Sequence, residues 1–257
     1  PGETIMGLQL SMGGHLTHGH KVSATGKLWR SVQYDVDPKT ERLNYANILK
    51  LAKKEMPKLI IAGYTAYPRY IDWKAFRKIA DAVGAYFMVD MSHIAGLIAG
   101  RVYPSPFPYA DIVTTTTHKT LRGPRSAMIF ANRESKIAKK NGVDIARAVD
   151  RAVFPGLQGG PHVNQVAAIA VAMKEADSPA YRTYARQIVK NAKALAYELE
   201  RLGFRIISGG TDSHLMLVDV MAKGVSGKEA STRLEKAGVI VNMNTIPHDP
   251  RPPMDPS

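Results

Sequence analysis

Short apolar runs alternate along this chain with stretches in which apolar positions return every third or fourth residue. These are the periods of buried strands and of amphipathic helices. The runs Lys58 to Gly63, Tyr86 to Asp90, Asp111 to Thr115 and Ser126 to Ala131 are predicted strands bounded by turn signals. Pro1-Gly2-Glu3-Thr4-Ile5-Met6 reads as a turn entering another. Asp72 to Val83 carries the helical period, with Asp72 placed as its N-cap. Beyond His162 the pattern changes. Val163 to Ala176 is rich in alanine and valine, and Ala180 to Leu202 is a long amphipathic helix closed by Gly203. Phe204 to Ser208 and His214 to Val220 follow as strands, Gly227 to Ala237 as a helix, and Val239 to Asn242 as a final strand. The alternation predicts an α/β fold, helices packed on a mainly parallel sheet. A boundary is expected near 174–180, where Asp177-Ser178-Pro179 interrupts the helices. It would divide a large domain, 1–176, from part of a smaller α+β domain, 177–257.

Composition narrows the function classes. At 257 residues the chain can bury a real core. No apolar stretch approaches the roughly 20 residues needed to span a bilayer, so no membrane role is expected. The absence of cysteine excludes disulfides, cysteine-held metals and thiol nucleophiles; it is compatible with a reducing compartment, and a cytoplasmic location is expected. A net charge of +13 raises the question of nucleic acid. The basic residues are scattered at helical spacing, as in Arg182, Arg186, Lys190 and Lys193, beside acidic or polar neighbours, and no basic motif is interleaved with aromatics. Solvated helix faces explain that pattern better than a nucleic-acid surface. The positive balance also suits anionic substrates and cofactors.

The candidate chemistry sits at strand ends. Asp90 closes one apolar run, and Lys119 follows another through Thr114-Thr115-Thr116-Thr117-His118. In open α/β sheets ligands bind beyond the carboxyl ends of the strands. An isolated lysine is most often a solvated one, and an aspartate here would ordinarily cap a helix. Together they form the pair that pyridoxal 5'-phosphate requires: an amine for a Schiff base and an acid to hold the ring nitrogen protonated. His93 lies three residues after Asp90, and the small residues of Ile94-Ala95-Gly96 would let a flat ring approach the backbone. Gly13-Gly14-His15-Leu16-Thr17-His18-Gly19-His20 invites a metal reading, but neither cysteine nor clustered acids accompany the histidines, and no metal is expected. A glycine-flanked histidine could instead stack on an aromatic cofactor.

Four segments then carry a specific resemblance: Gly-Gly-His-Leu-Thr-His-Gly, Val-Asp-Met-Ser-His-Ile-Ala-Gly-Leu, Thr-Thr-Thr-Thr-His-Lys-Thr-Leu-Arg-Gly-Pro-Arg and Phe-Pro-Gly-Leu-Gln-Gly-Gly-Pro. In this order they resemble the serine hydroxymethyltransferase family, and Ser208-Gly209-Gly210-Thr211-Asp212-Ser213-His214 is similar to it as well. The resemblance implies an aspartate-aminotransferase-like large domain and a pyridoxal-phosphate enzyme. Its reaction transfers the serine hydroxymethyl group to tetrahydrofolate, giving glycine. It implies Lys119 as the Schiff-base lysine, Asp90 as partner of the pyridine nitrogen, His93 at the phenolic oxygen and His15 against the ring. Thr116 and His118 would flank the reacting amine, and Thr65 would lie near the ring oxygen, where the family often has serine. Gly159 and Gly160 would offer amides to the cofactor phosphate of a neighbouring subunit, so a homodimer or homotetramer is implied. Gly14, Leu16 and Asn244 would meet the folate. The proline-rich end and the abrupt beginning suggest an internal piece of a longer protein, without the family's N-terminal phosphate cup and acid–base glutamate or its carboxylate-binding arginine. These residues alone are therefore expected to show little or no turnover. Two alternatives stay open: another pyridoxal-phosphate enzyme of this fold (aldolase, decarboxylase or desulfurase), and a non-catalytic basic RNA-binding protein.

Overall fold

The computed structural model describes residues 2–257; Pro1, the first residue of the expected entry turn, lies outside the described residues. Its centre is a six-stranded sheet built from β1 (Thr4–Leu8), β2 (Arg30–Tyr34), β3 (Leu59–Gly63), β4 (Tyr86–Asp90), β5 (Ile112–Thr116) and β6 (Ala127–Ala131). The order is β2-β1-β3-β4-β5-β6, parallel from β2 to β5, with β6 antiparallel at the edge. Strands such as Leu59-Ile60-Ile61-Ala62 are apolar on both faces because helices cover the sheet. The crossings are made by α1 (Ala24–Leu28), α2 (Tyr45–Glu55), α3 (Trp73–Val83) and α4 (Ala95–Ala99). Asp72 caps α3 as its position predicts, accepting a hydrogen bond from the Ala75 amide at 2.9 Å. One face of α3 then delivers Trp73, Phe76, Ile79 and Ala80 to the core, where Phe76 stacks on Phe87 of β4 with centroids 5.8 Å apart.

After β6 the chain runs through α5 (Lys136–Lys140), α6 (Ile145–Val153), α7 (Val163–Ala176) and α8 (Pro179–Arg201). The break expected near Asp177-Ser178-Pro179 is the α7–α8 junction; Ser178 caps α8 and Pro179 occupies its first turn. The first turns of α8 pack on the sheet domain, with Tyr181 and Ala185 inside its core cluster.

The last segment departs from the sequence pattern. Phe204 to Ser208 and His214 to Val220 shrink to a two-stranded ribbon of β7 (Arg205–Ile206) and β8 (Val218–Asp219), followed by α9 (Gly227–Lys236). Val239 to Asn242 forms no strand: Val239, Ile240 and Val241 are exposed at 49%, 78% and 43%, with no ladder partner among the described residues. An apolar run becomes a strand only where an edge accepts it, and no edge reaches this one.

Candidate active site

The parallel strands end on one side of the sheet, and the loops leaving those ends hold nearly every residue singled out above. The His15–His18 turn follows β1, Thr65 follows β3, Asp90 closes β4, and Lys119 lies just past β5. Register brings the last two together, because Asp90 pairs with Thr114 across the β4–β5 ladder.

Hydrogen bonds then connect the carboxylate to the amine. Ser92 Oγ donates to Asp90 Oδ1 at 2.6 Å and itself accepts from the Thr116 amide at 2.9 Å. Lys119 Nζ in turn donates to Thr116 Oγ1 at 2.8 Å. The Ser92 amide also donates to Asp90 Oδ1 (3.0 Å), while His18 Nε2 meets Oδ2 at 3.0 Å. An ionised carboxylate only accepts, so His18 carries its proton on Nε2 in this contact. Burial pushes the Asp90 carboxyl up, but the bonds from His18 and Ser92 outweigh it and hold the pKa at about 2.

The amine is tuned in the opposite sense. Burial lowers the Lys119 pKa, the Asp90 carboxylate resists that shift, and the Arg125 guanidinium adds to it. His93 is lowered to about 4 by burial, then by Lys119 and His214, against the pull of Asp90. His15 is lowered by burial, by His18 and by Lys119, while Asp90 opposes. Its Nδ1 lies 2.8 Å from Thr17 Oγ1. His118, just before the lysine, is lowered by desolvation and by its cationic neighbours. Asp90 and Lys119 thus both act on His93 and on His15, and Asp90 acts on Lys119.

The predicted folate-side residues divide. Gly14 and Asn244 line one cavity of about 780 Å³ together with Thr65, although they are far apart in sequence. At Gly14 a side chain would strike the Leu8 carbonyl oxygen at 2.1 Å, so the turn can pack there only without one. Leu16 is 42% exposed and is not part of that lining. Gly159 and Gly160 are exposed, and no described atom lies within 4 Å of where a side chain would begin at either. They are not brought to the Lys119 cluster within this chain.

Two contributors escaped the sequence reading. His18 and Ser92 supply the bonds that hold Asp90. Ser92 could have been found from its spacing, since a serine two residues after an aspartate commonly closes a local turn onto it. His18 sat in plain view among the clustered histidines, but no local rule pairs it with a residue on β4.

A largely parallel sheet, with an amine and a carboxylate linked through Ser92 and Thr116 beyond the carboxyl ends of its strands, fits the aspartate-aminotransferase-like class of α/β proteins. A family model described as serine hydroxymethyltransferase matches residues 1–257. Curated relatives bearing that name include one from Coprothermobacter proteolyticus, 54% identical over 98% of this chain and 59% of its own length. Others come from Acidobacterium capsulatum (55%) and Koribacter versatilis (54%), each matched over 100% of this chain and 58% of the relative. The chain belongs to the serine hydroxymethyltransferase family, and it spans 58–59% of the length of these relatives.

Proposed function

We propose that this chain forms the cofactor- and folate-facing part of an enzyme that moves the hydroxymethyl group of serine to tetrahydrofolate, giving glycine and 5,10-methylenetetrahydrofolate, with pyridoxal 5'-phosphate as cofactor. The observation that carries this reading is the hydrogen-bonded path from the Asp90 carboxylate through Ser92 and Thr116 to the Lys119 amine. The surrounding groups fit such a cofactor. Thr65 Oγ1, His18 Nδ1 and His118 Nδ1 are buried polar atoms without a hydrogen-bond partner among the described residues, and a polar ligand would satisfy atoms of this kind. In this reading Lys119 attaches the cofactor, Asp90 faces its ring nitrogen, His93 its phenolic oxygen, and His15 its flat face. Thr65 lies near the ring oxygen, and Thr116 and His118 flank the amine. Gly159 and Gly160 would serve the phosphate of a second copy, so a homodimer or homotetramer belongs to the proposal. Gly14, Leu16 and Asn244 would meet tetrahydrofolate. The division at 176/177 and a cytoplasmic setting belong to the same reading.

When bound, pyridoxal phosphate supplies an electron sink for the bond broken at the substrate α-carbon. The chain's own groups prepare the site. Desolvation favours the free-base form of Lys119, and the Thr116 hydroxyl accepts one of its hydrogens and so fixes the direction of the amine. Asp90 stays ionised in spite of burial, which lets it keep a proton on a ring nitrogen opposite it. His93, neutral at working pH, can hold an oxygen by hydrogen bonding without placing another positive charge beside the amine.

The assay is serine cleavage in the full-length protein with and without tetrahydrofolate. Glycine formation that depends on the folate supports the proposal. Turnover of serine indifferent to it would point to another amino-acid reaction and contradict it.

A further inference from the structure

His214 was singled out only as part of a similar segment, and no role above absorbs it. It lies far beyond β6 in sequence, yet its ring stacks on that of His93, with centroids 6.5 Å apart and planes 15° from parallel. The segment that carries it is tied to the loop leaving β3. Arg69, on that loop, donates through Nε to Ser208 Oγ (3.1 Å), through Nη2 to the Ser208 carbonyl (2.6 Å) and through Nη1 to Asp212 Oδ1 (3.2 Å). Asp212 returns the contact: its amide donates to the Pro68 carbonyl at 2.8 Å, and Oδ2 accepts from the Tyr70 amide at 3.1 Å. Glu41 holds the Ser208 amide at 2.6 Å. Ser208 itself has φ +58°, a left-handed conformation that a non-glycine residue keeps only where its surroundings fix it. So many bonds on one short turn define where the following histidine sits.

We propose that His214 is a positioning residue of the site: clamped through Asp212 and Ser208 to Arg69, it stacks on His93, fixes the plane of that ring and keeps water from it. The role rests on the proposed function only in giving His93 its purpose; the stacking and its consequence belong to the protein without cofactor. His214 is itself driven to about 4 by burial, so near neutral pH the stacked pair is uncharged. The groups facing His93 are Lys119 and His15, which disfavour its cationic form together with His214, and Asp90, which favours it. Losing the His214 ring would admit water to the imidazole and restore part of its proton affinity.

The test is a nuclear magnetic resonance titration of the His93 ring in the protein without added cofactor, with the resonance assigned by comparison with His93→Asn. The unmodified protein should titrate near 4. In His214→Ala the midpoint should rise by about 1 unit, a fraction of the roughly 3–5 units that full burial produces. His214→Phe keeps a flat apolar ring and should hold the midpoint low. Asp212→Asn, which only loosens the clamp, should shift it upward by less than His214→Ala. An unchanged midpoint in both His214→Ala and Asp212→Asn would overturn the inference, and so would a His214→Phe shift as large as that of alanine. The same variants loaded with pyridoxal phosphate test the underlying reading separately, because a missing cofactor band in the unmodified protein would sink that reading and leave the titration result standing.

Discussion

At the scale of residues, the site depends on keeping a largely buried carboxylate charged near a partly exposed amine. Asp90 manages this because the Ser92 amide and hydroxyl and His18 occupy three of its roughly four acceptor positions, which leaves one on Oδ2 for a ring N–H. Its carboxyl binds a proton less tightly in the folded chain (about 2) than at the ordinary value of 3.8. The resulting stabilisation is fully present above the ordinary value and is lost as pH falls through about 2. It is worth roughly 2 kcal/mol by linkage. Removing the imidazole in His18→Ala takes away the hydrogen bond and the charge that most oppose burial, so the Asp90 pKa should rise and the acid loss of stability should begin at higher pH. We expect a cost of about 1–3 kcal/mol near neutral pH, read from urea unfolding midpoints, since a buried acceptor loses its partner. An Asp90-dependent acid transition unmoved in His18→Ala would contradict this account of the pair. Of this candidate site, the residues themselves offered the pair Asp90 and Lys119 at the ends of apolar runs, with His93 close by; the other candidates came with the family resemblance. His18 and Ser92 were missed, because the first depends on a contact between separate loops and the second on a local turn.

At the scale of elements, the site is a product of strand register. Gly63 ends β3 opposite Asp90 at φ +140°, and a side chain there would meet the Asp90 carbonyl oxygen at 2.2 Å. Gly63→Ala should therefore cost about 1–3 kcal/mol or more through overpacking at a strained φ. Because it pushes on the backbone of Asp90, it should also weaken cofactor binding, measured by spectroscopic titration. Stability lost with affinity unchanged would mean that the strand end does not set the carboxylate. A second brace comes from α8. The Tyr181 hydroxyl donates to the Thr120 carbonyl at 2.6 Å, and the Thr120 hydroxyl donates to the His93 carbonyl at 2.9 Å, joining the lysine loop to the histidine loop. Tyr181→Phe should lower stability by about 0.5–1.5 kcal/mol in denaturant unfolding. β3 was predictable because burial on both faces leaves an unbroken apolar run, whereas β4 and β5 are buried at alternate positions. β2 was not predictable, since Arg30-Ser31-Val32-Gln33-Tyr34 is largely polar and only Tyr34 is buried. The exposed run at Val239 shows the converse, apolar residues that no strand edge receives.

At the scale of the whole molecule, apolar surface is concentrated around α7 and the loop before it. Phe154, Leu157, Val163, Val166 and Val171 are all exposed, Leu157 to 89%, and Gly159 and Gly160 lie in the same stretch. The proposed assembly would cover this surface and carry the glycine loop to a second copy's cofactor. Leu157→Asp combined with Val163→Glu should shift the protein toward monomer in light scattering, with a matching loss of cofactor affinity. A mass unchanged by both charges would place the interface elsewhere. The parallel sheet was evident from the alternation of runs and periods, whereas the ribbon of β7 and β8 was overestimated because apolar character alone does not limit strand length. Everything at the three scales converges on the amine of Lys119. The most direct measurement is reduction of the pyridoxal-phosphate-treated protein with borohydride followed by peptide mass mapping. A pyridoxyl-phosphate adduct is expected on the peptide containing Lys119, absent in Lys119→Ala; an adduct confined to other lysines, or none, would rule out this amine as the point of attachment.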